Sequence, residues 1–185
     1  QARLEVGEQE LRAGGDVVGS RLDLSNLRWL HTEDNEPLEV TGKVTLVRWW
    51  TDSCPFCTAS LPAIYGFSEL YPSDDFQTIA VYHPKPPRNV ISKDILEAAR
   101  EREYDGIVAV DQNWEVLKQN YLNKKRRSAT SVSFLLDQQG IIRFVHPGPV
   151  IHPSDDPELL DVNRDYEQMS LAIKALLSQI QEPSQ

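Results

Sequence analysis

The stretch VTLVRWWTDSCPFCTASLPAIYGFSELY, residues 44–71, decides how the chain is read. Its first seven residues, Val44–Trp50, form an apolar, β-branched run, the composition of a strand. The strand runs into Cys54-Pro55-Phe56-Cys57. A helical pattern follows, with Leu61, Ile64, Phe67, Leu70 and Tyr71 on one side. A thiol at the first turn of a helix faces unpaired backbone N–H groups and the positive end of the helix dipole, and both favour the thiolate. Pro55 suits a first helical position, where its missing N–H costs nothing. The pattern therefore makes Cys54 a nucleophile, with Cys57 one turn later and able to close a disulfide on it.

Composition narrows the classes. A chain of 185 residues, 40% hydrophobic and 25% charged, has enough apolar material for one core. Its net charge of −9 argues against nucleic acid or an anionic membrane as the main partner. No apolar run reaches membrane-spanning length. The chain begins at Gln1 without Met, which allows for a removed targeting or anchoring segment and leaves the compartment open at this point. Two cysteines in CxxC spacing form a redox pair or half of a metal site, not a disulfide framework.

Residues 1–20 are read as a peripheral arm with one short strand, and residues 21–185 as a single domain. Within it, residues 21–30 are an extended segment with Leu22, Leu24, Leu27 and Trp29 as its apolar positions, and a polar turn region over residues 31–43 ends in Gly42. FQTIAVY, residues 76–82, is a short buried strand bounded by the stiff HPKPP loop. Residues 90–104 form an amphipathic helix with Val90, Ile91, Ile95, Ala98 and Ala99 inward. Residues 107–110 are a strand, and Asp111 caps the helix holding Trp114, Leu117 and Tyr121. A basic loop, Lys124 to Arg127, precedes a hairpin of residues 132–136 and 141–145, turning at Asp137-Gln138-Gln139-Gly140. A Pro- and Asp-rich loop leads to a last helix over residues 162–180. A right-handed crossover makes the first two core strands parallel and the hairpin adds an antiparallel pair, so an α/β fold with a mixed sheet and helices on both faces is expected.

In this order the pieces resemble the thioredoxin-fold family, and most closely its TlpA/ResA-like thiol-disulfide oxidoreductase branch, with some likeness to peroxiredoxins. The resemblance covers nearly the whole domain. It rests on GKVTLVRWWTDSCPFC, on Pro62 eight residues after Cys54, on IAVYHP and on SFLLDQQGIIRF. It implies a thioredoxin-like mixed sheet with an N-terminal extension and a strand–helix insertion. It implies Cys54 as the attacking thiol and Cys57 as the buried resolving one, with no cofactor and no resident metal. The partners implied are a client protein or small-molecule disulfide and an electron-donating thiol protein. The chain is expected to act as a monomer in an extracytoplasmic or periplasmic location, with reduction as the favoured direction.

Two departures from the family pattern bear on the site. Ser131 stands where the family has a cis-proline facing the CxxC. A cis bond before a non-proline residue costs about 3 kcal/mol, so Thr130–Ser131 is expected to be trans, with the thiols uncovered on that side and the client-pairing loop altered. Arg48 stands where thioredoxins carry a buried proton-handling acid. It either favours a Cys57 thiolate or reaches to the sheet edge as a long apolar stem with a solvated head. Strand direction brings His83 and His146 to the active-site edge, as proton relays or as loop histidines bonded to backbone. Trp50 and Phe56 are expected to form an apolar docking rim, with Trp49 in the core or against a covering helix. The loop from Lys124 to Arg127 is read as a solvated charged loop, with holding an acidic client or raising the thiolate content of Cys54 as the functional alternative. His31 and His152 carry no assigned role.

Thiol-disulfide exchange is the leading function. A soft-metal (copper) module is the first alternative, but the copper-delivering relatives use CxxxC and a distant histidine, where this chain has CxxC with Ala129 and Thr130. A peroxidase is the second: Thr51 sits three residues before Cys54, as in peroxiredoxins, yet their motif proline is replaced by Val47. A non-catalytic binding domain on the same fold is the third.

Overall fold

Residues Val44–Trp50 form β2, and every one of them is buried, as a strand apolar on both faces requires. The computed structural model describes residues 14–30, 36–125, 127 and 129–181; residues 1–13 of the expected arm, His31 and Arg126 lie outside them. The other strands are β1 (Arg28–Trp29), β3 (Phe76–Tyr82), β4 (Ile107–Val110), β5 (Ser133–Leu136) and β6 (Ile142–His146). The helices are α1 (Pro55–Ala59), α2 (Leu61–Leu70), α3 (Ser92–Arg100), α4 (Glu115–Asn120) and α5 (Leu160–Gln181).

The strands make one six-stranded sheet in the order β1-β4-β3-β2-β5-β6. β2 pairs in parallel with β3 and antiparallel with β5, so the mixed central sheet expected from the crossover and the hairpin is present. Alternation along β2 divides its side chains between two cores. Leu46 and Trp50 join Cys57, Leu61, Ile64, Phe67, Ile95, Met169 and Ile173, which belong to α1, α2, α3 and α5. Val47 and Trp49 join Leu22, Leu24, Leu27, Trp29, Leu117 and Phe134 on the opposite face. Trp49 is fully buried there and meets Phe134 edge to face, with ring centroids 5.6 Å apart.

Several boundaries differ from the expectation, each for a local reason. The extended segment 21–30 is a strand only at Arg28–Trp29, because a turn at Ser25 and Asn26 interrupts it. In the described part of the arm, residues Gly15–Val17 form a 3-10 turn. The CxxC helix is broken at Ser60, since Pro62 in the first turn of α2 cannot continue the ladder from α1. Leu70 at the end of α2 is 53% exposed, against the expectation that it faces the core. Ile91, expected inward, is the residue before α3 and is 66% exposed, while Ile95 and Ala99 are buried. The last helix starts two residues early, at Leu160. Asp111 does cap α4: its carboxylate accepts the N–H groups of Val116 (3.2 Å) and Leu117 (2.9 Å). The hairpin turns at Gly140, whose φ of 74° is left-handed, while the Asp137 carboxylate accepts the N–H groups of Gln139 and Ile141.

The split between buried and exposed positions of α2 is open to measurement. Ile64→Ala should cost about 2–5 kcal/mol of unfolding free energy. Leu70→Ala, at the same helix's open end, should stay within about 0.5 kcal/mol of wild type by urea denaturation.

Candidate active site

The site forms where β2 ends. Thr51, Asp52 and Ser53 turn the chain into α1, and Cys54 caps that helix in an extended conformation (φ −118°, ψ 104°). The Cys54 sulfur accepts the Cys57 N–H at 3.3 Å, and its carbonyl accepts the Thr58 N–H at 3.1 Å. Cys54 and Cys57 are joined in a disulfide with Cα atoms 5.3 Å apart, inside the normal range. Their exposures differ: Cys54 is partly open, whereas Cys57 is 1% exposed in the core below. Beside them Pro55 occupies the first turn of α1, exposed to solvent.

The turn before Cys54 is held from β3. The Tyr82 hydroxyl donates to Asp52 at 2.8 Å, and Arg88 donates to Tyr82 at 3.2 Å while pairing with Asp52 at 3.7 Å. Burial, then the Asp52 carboxylate, push the Tyr82 phenol up to about 12, so it stays a donor at any physiological pH. The Thr51 hydroxyl lies 3.3 Å from that of Ser53.

On the β5 side, Thr130 and Ser131 are buried, and the Thr130–Ser131 bond is trans, as expected. The expected opening beside the thiols is corrected by the structure. The Ser131 hydroxyl lies 2.6 Å from the Cys57 sulfur and covers it. A disulfide sulfur carries no proton, so Ser131 is the donor. The register explains the meeting: Arg48 pairs with Ser133, and Trp49 donates its N–H to Val132, which brings Ser131 level with the end of β2.

Arg48 does not reach the sheet edge; it is fully buried, which overturns the solvated reading. Its guanidinium donates to the Ser133 hydroxyl at 3.1 Å and to the carbonyls of Gly148 (2.8 Å) and Pro149 (2.7 Å). Burial pushes Arg48 down to about 9, still above neutral pH, so a cation sits inside the fold. The Ser60 hydroxyl donates to Pro149 at 2.9 Å and accepts the Ile151 N–H at 2.9 Å. Arg48 and Ser60 thus clamp the loop after β6 against the start of α2.

The two histidines are at this edge but do not serve as open relays. His83 gives its backbone N–H to the Trp50 carbonyl, yet its ring is wholly buried against Trp114, with centroids 5.6 Å apart. Neither ring nitrogen has a hydrogen-bond partner, and desolvation holds its pKa down to about 4. His146 lies opposite Ser133 and its Nε2 meets Asp165 of α5 at 3.2 Å. Desolvation, and after it the Arg48 charge, also hold His146 down to about 4. Both rings are neutral at pH 7, and neither is hydrogen-bonded to a cysteine.

The docking rim needs a second correction. Trp50 is fully buried against Tyr82, because its side chain follows Leu46 and Arg48 into the core; Phe56 alone, 64% exposed, remains as an apolar surface beside Cys54. In the basic loop, Lys124 and Lys125 are exposed, while the Arg127 guanidinium turns inward to Asp16 and the Tyr121 ring. Among the described residues no three of His, Cys, Asp and Glu converge as metal ligands. Sequence reasoning missed Ser60, Ser133 and Asp165. Ser133 was accessible from the period of a strand, since it shares a face with Ser131; Ser60 and Asp165 carry no such signal.

Residues 31–162 match the family model described as Redoxin. Protein DipZ of Mycobacterium bovis is 25% identical over 137 residues, which is 72% of this chain and 19% of that protein. Sporulation thiol-disulfide oxidoreductase A of Bacillus subtilis is 26% identical over 110 residues, 59% of this chain and 62% of that one. The chain therefore spans about a fifth of the first relative and less than two thirds of the second. A thiol-disulfide isomerase from Corynebacterium glutamicum shares the fold, with a TM-score of 0.60 and 23% identity, covering 86% of this chain and 97% of that one. The thioredoxin-like layout stands.

The buried neutral histidines make stability depend on pH. A folded pKa of about 4 against an ordinary 6.5 means that, between those values, the unfolded chain binds protons that the folded chain refuses. Stability should be full above about pH 6.5 and fall on acidification, by up to about 3 kcal/mol per histidine. Asp111, whose pKa burial raises, works in the opposite sense. Unfolding measured from neutral to acidic pH should show the fall in wild type and a shallower one in His83→Phe. An identical pH slope in both would clear His83 of the effect.

Proposed function

The chain belongs to the Redoxin family, and from that membership we propose that it is a thiol-disulfide oxidoreductase that reduces client disulfides through Cys54 and Cys57. The observation that carries the proposal is the pairing of these two cysteines in one disulfide, with Cys54 partly open at the start of α1 and Cys57 buried below it. In the reduced protein the Cys54 thiolate attacks one sulfur of the client disulfide. A Cys54–client bond forms, the client S–S bond breaks, and the first client thiolate leaves. Cys57 then attacks the Cys54 sulfur. The intramolecular disulfide forms, the mixed disulfide breaks, and the second client thiolate leaves, so two electrons have passed from the dithiol to the client. An external thiol protein returns them by the reverse exchange.

Phe56, exposed beside Cys54, offers a client an apolar contact next to the attacking sulfur, which supports a protein client. An extracytoplasmic location is part of the same reading, since disulfide clients persist in oxidising compartments. Among the described residues no helix is long and apolar enough to cross a membrane.

The wild-type chain should turn over a small aromatic disulfide in the presence of a dithiol donor, and Cys54→Ser should lose that turnover by at least about a hundredfold. Cys57→Ser should stall as a mixed disulfide with the client, detectable by mass. Equal turnover in wild type and Cys54→Ser would end the proposal.

A further inference from the structure

Cys57 presents a problem that its family role does not solve. It must lose a proton to resolve a mixed disulfide, yet it is 1% exposed and packed among Trp50, Leu61 and Ile64 in the apolar core, where burial disfavours a thiolate. No carboxylate among the described residues is hydrogen-bonded to it, and position 48, two residues before the end of β2, holds a cation. What does touch the sulfur is the Ser131 hydroxyl, 2.6 Å away and itself 7% exposed. A hydroxyl can turn its proton toward an anion, and a hydrogen bond to an ionised acceptor is about twice as strong as one to a neutral acceptor. The same contact is therefore worth more after Cys57 ionises than in the disulfide.

The surrounding charge acts in the same direction. Arg48 lies on the same face of the sheet, bonded to Ser133, which is two residues along the β5 segment from Ser131. Its other hydrogen bonds go to backbone carbonyls, so no anion among the described residues neutralises it. The nearby histidine of β6, His146, is neutral and held so partly by that cation. The Asp165 carboxylate on this side meets His146 rather than Arg48, so a negative charge at Cys57 complements a cation that has no carboxylate partner among the described residues.

We propose that Ser131 is a catalytic residue, whose hydroxyl donates to the Cys57 sulfur and holds it as the thiolate that resolves the mixed disulfide. The inference rests on the oxidoreductase reading for the use made of the thiolate, but not for its existence. In balance, the Cys57 thiol proton passes to solvent or to the departing client thiolate, Ser131 keeps its own proton throughout, and the electron pair on Cys57 forms the new S–S bond. Ser131 thus fills the place of a proton-handling acid by stabilising the product of deprotonation rather than by accepting the proton.

The test uses the Cys54→Ser chain, in which Cys57 is the remaining thiol of the two that the sequence contains. Its thiolate is followed by ultraviolet absorbance as pH is raised, a signal that needs no reagent to reach the buried sulfur. Adding Ser131→Ala should lower the thiolate fraction about tenfold at a given pH, moving the midpoint up by about one pH unit. Ser131→Thr, which keeps a hydroxyl, should stay near the parent. A Ser131→Ala midpoint equal to the parent's, or a Ser131→Thr midpoint moved as far as that of Ser131→Ala, would overturn the proposal. Turnover of the model disulfide by the wild-type chain reports separately on the oxidoreductase reading. An inert wild type whose Cys57 titration still depends on the Ser131 hydroxyl would discard that reading and leave the Ser131 contact standing.

Discussion

β2 is hydrogen-bonded to β3 on one side and to β5 on the other, so its end cannot shift without breaking two ladders. The turn that carries Cys54 leaves from that end, and the segment that carries Ser131 arrives beside it on the antiparallel neighbour. The disulfide, the hydroxyl on Cys57 and the turn held by Tyr82 all take their positions from this one strand. The turn and the loop that carry the site are thus anchored directly to a strand held on both sides, which suits chemistry in which one sulfur must reach another in line.

Placing a guanidinium inside such a strand is costly unless its donors are met. Here the two terminal nitrogens are met by Ser133 and by two backbone carbonyls of the segment after β6, while Nε has no partner, so most of the solvation of the cation and the fixing of that segment are one interaction. Ser60 adds a second tie to the same segment from the start of α2. On the Cys57 face of this edge Arg48 is charged and His146 is kept neutral by burial, while the buried Asp111 carboxylate lies on the opposite face beside Trp49. A site that handles thiolates gains from that bias, because each anion formed in exchange is drawn toward it.

Period and punctuation carried much of the fold. The seven-residue runs of β2 and β3 and the four residues of β4 read directly from their β-branched composition and turn signals. Where helices fray or break, the pattern misleads: Leu70 and Ile91 continue an apolar stripe in sequence but lie past the point where a packed neighbour covers it. Trp50 and Arg48 mislead in another way. An aromatic next to an active-site motif suggests a surface and an arginine suggests solvent, yet both sit on the core face of a strand covered by α1, α2 and α5, where alternation sends them whatever their polarity.

The sequence by itself determined the order of elements, the parallel crossover and the position of the cysteine pair at a strand–helix junction, because these depend on residues close together along the chain. Only the tertiary structure decided what surrounds Cys57. Ser131 is 74 residues away from it and Gly148 is 100 residues from Arg48, and no local pattern encodes a contact across such distances. Those meetings follow from strand register, which the packing of both sheet faces sets together.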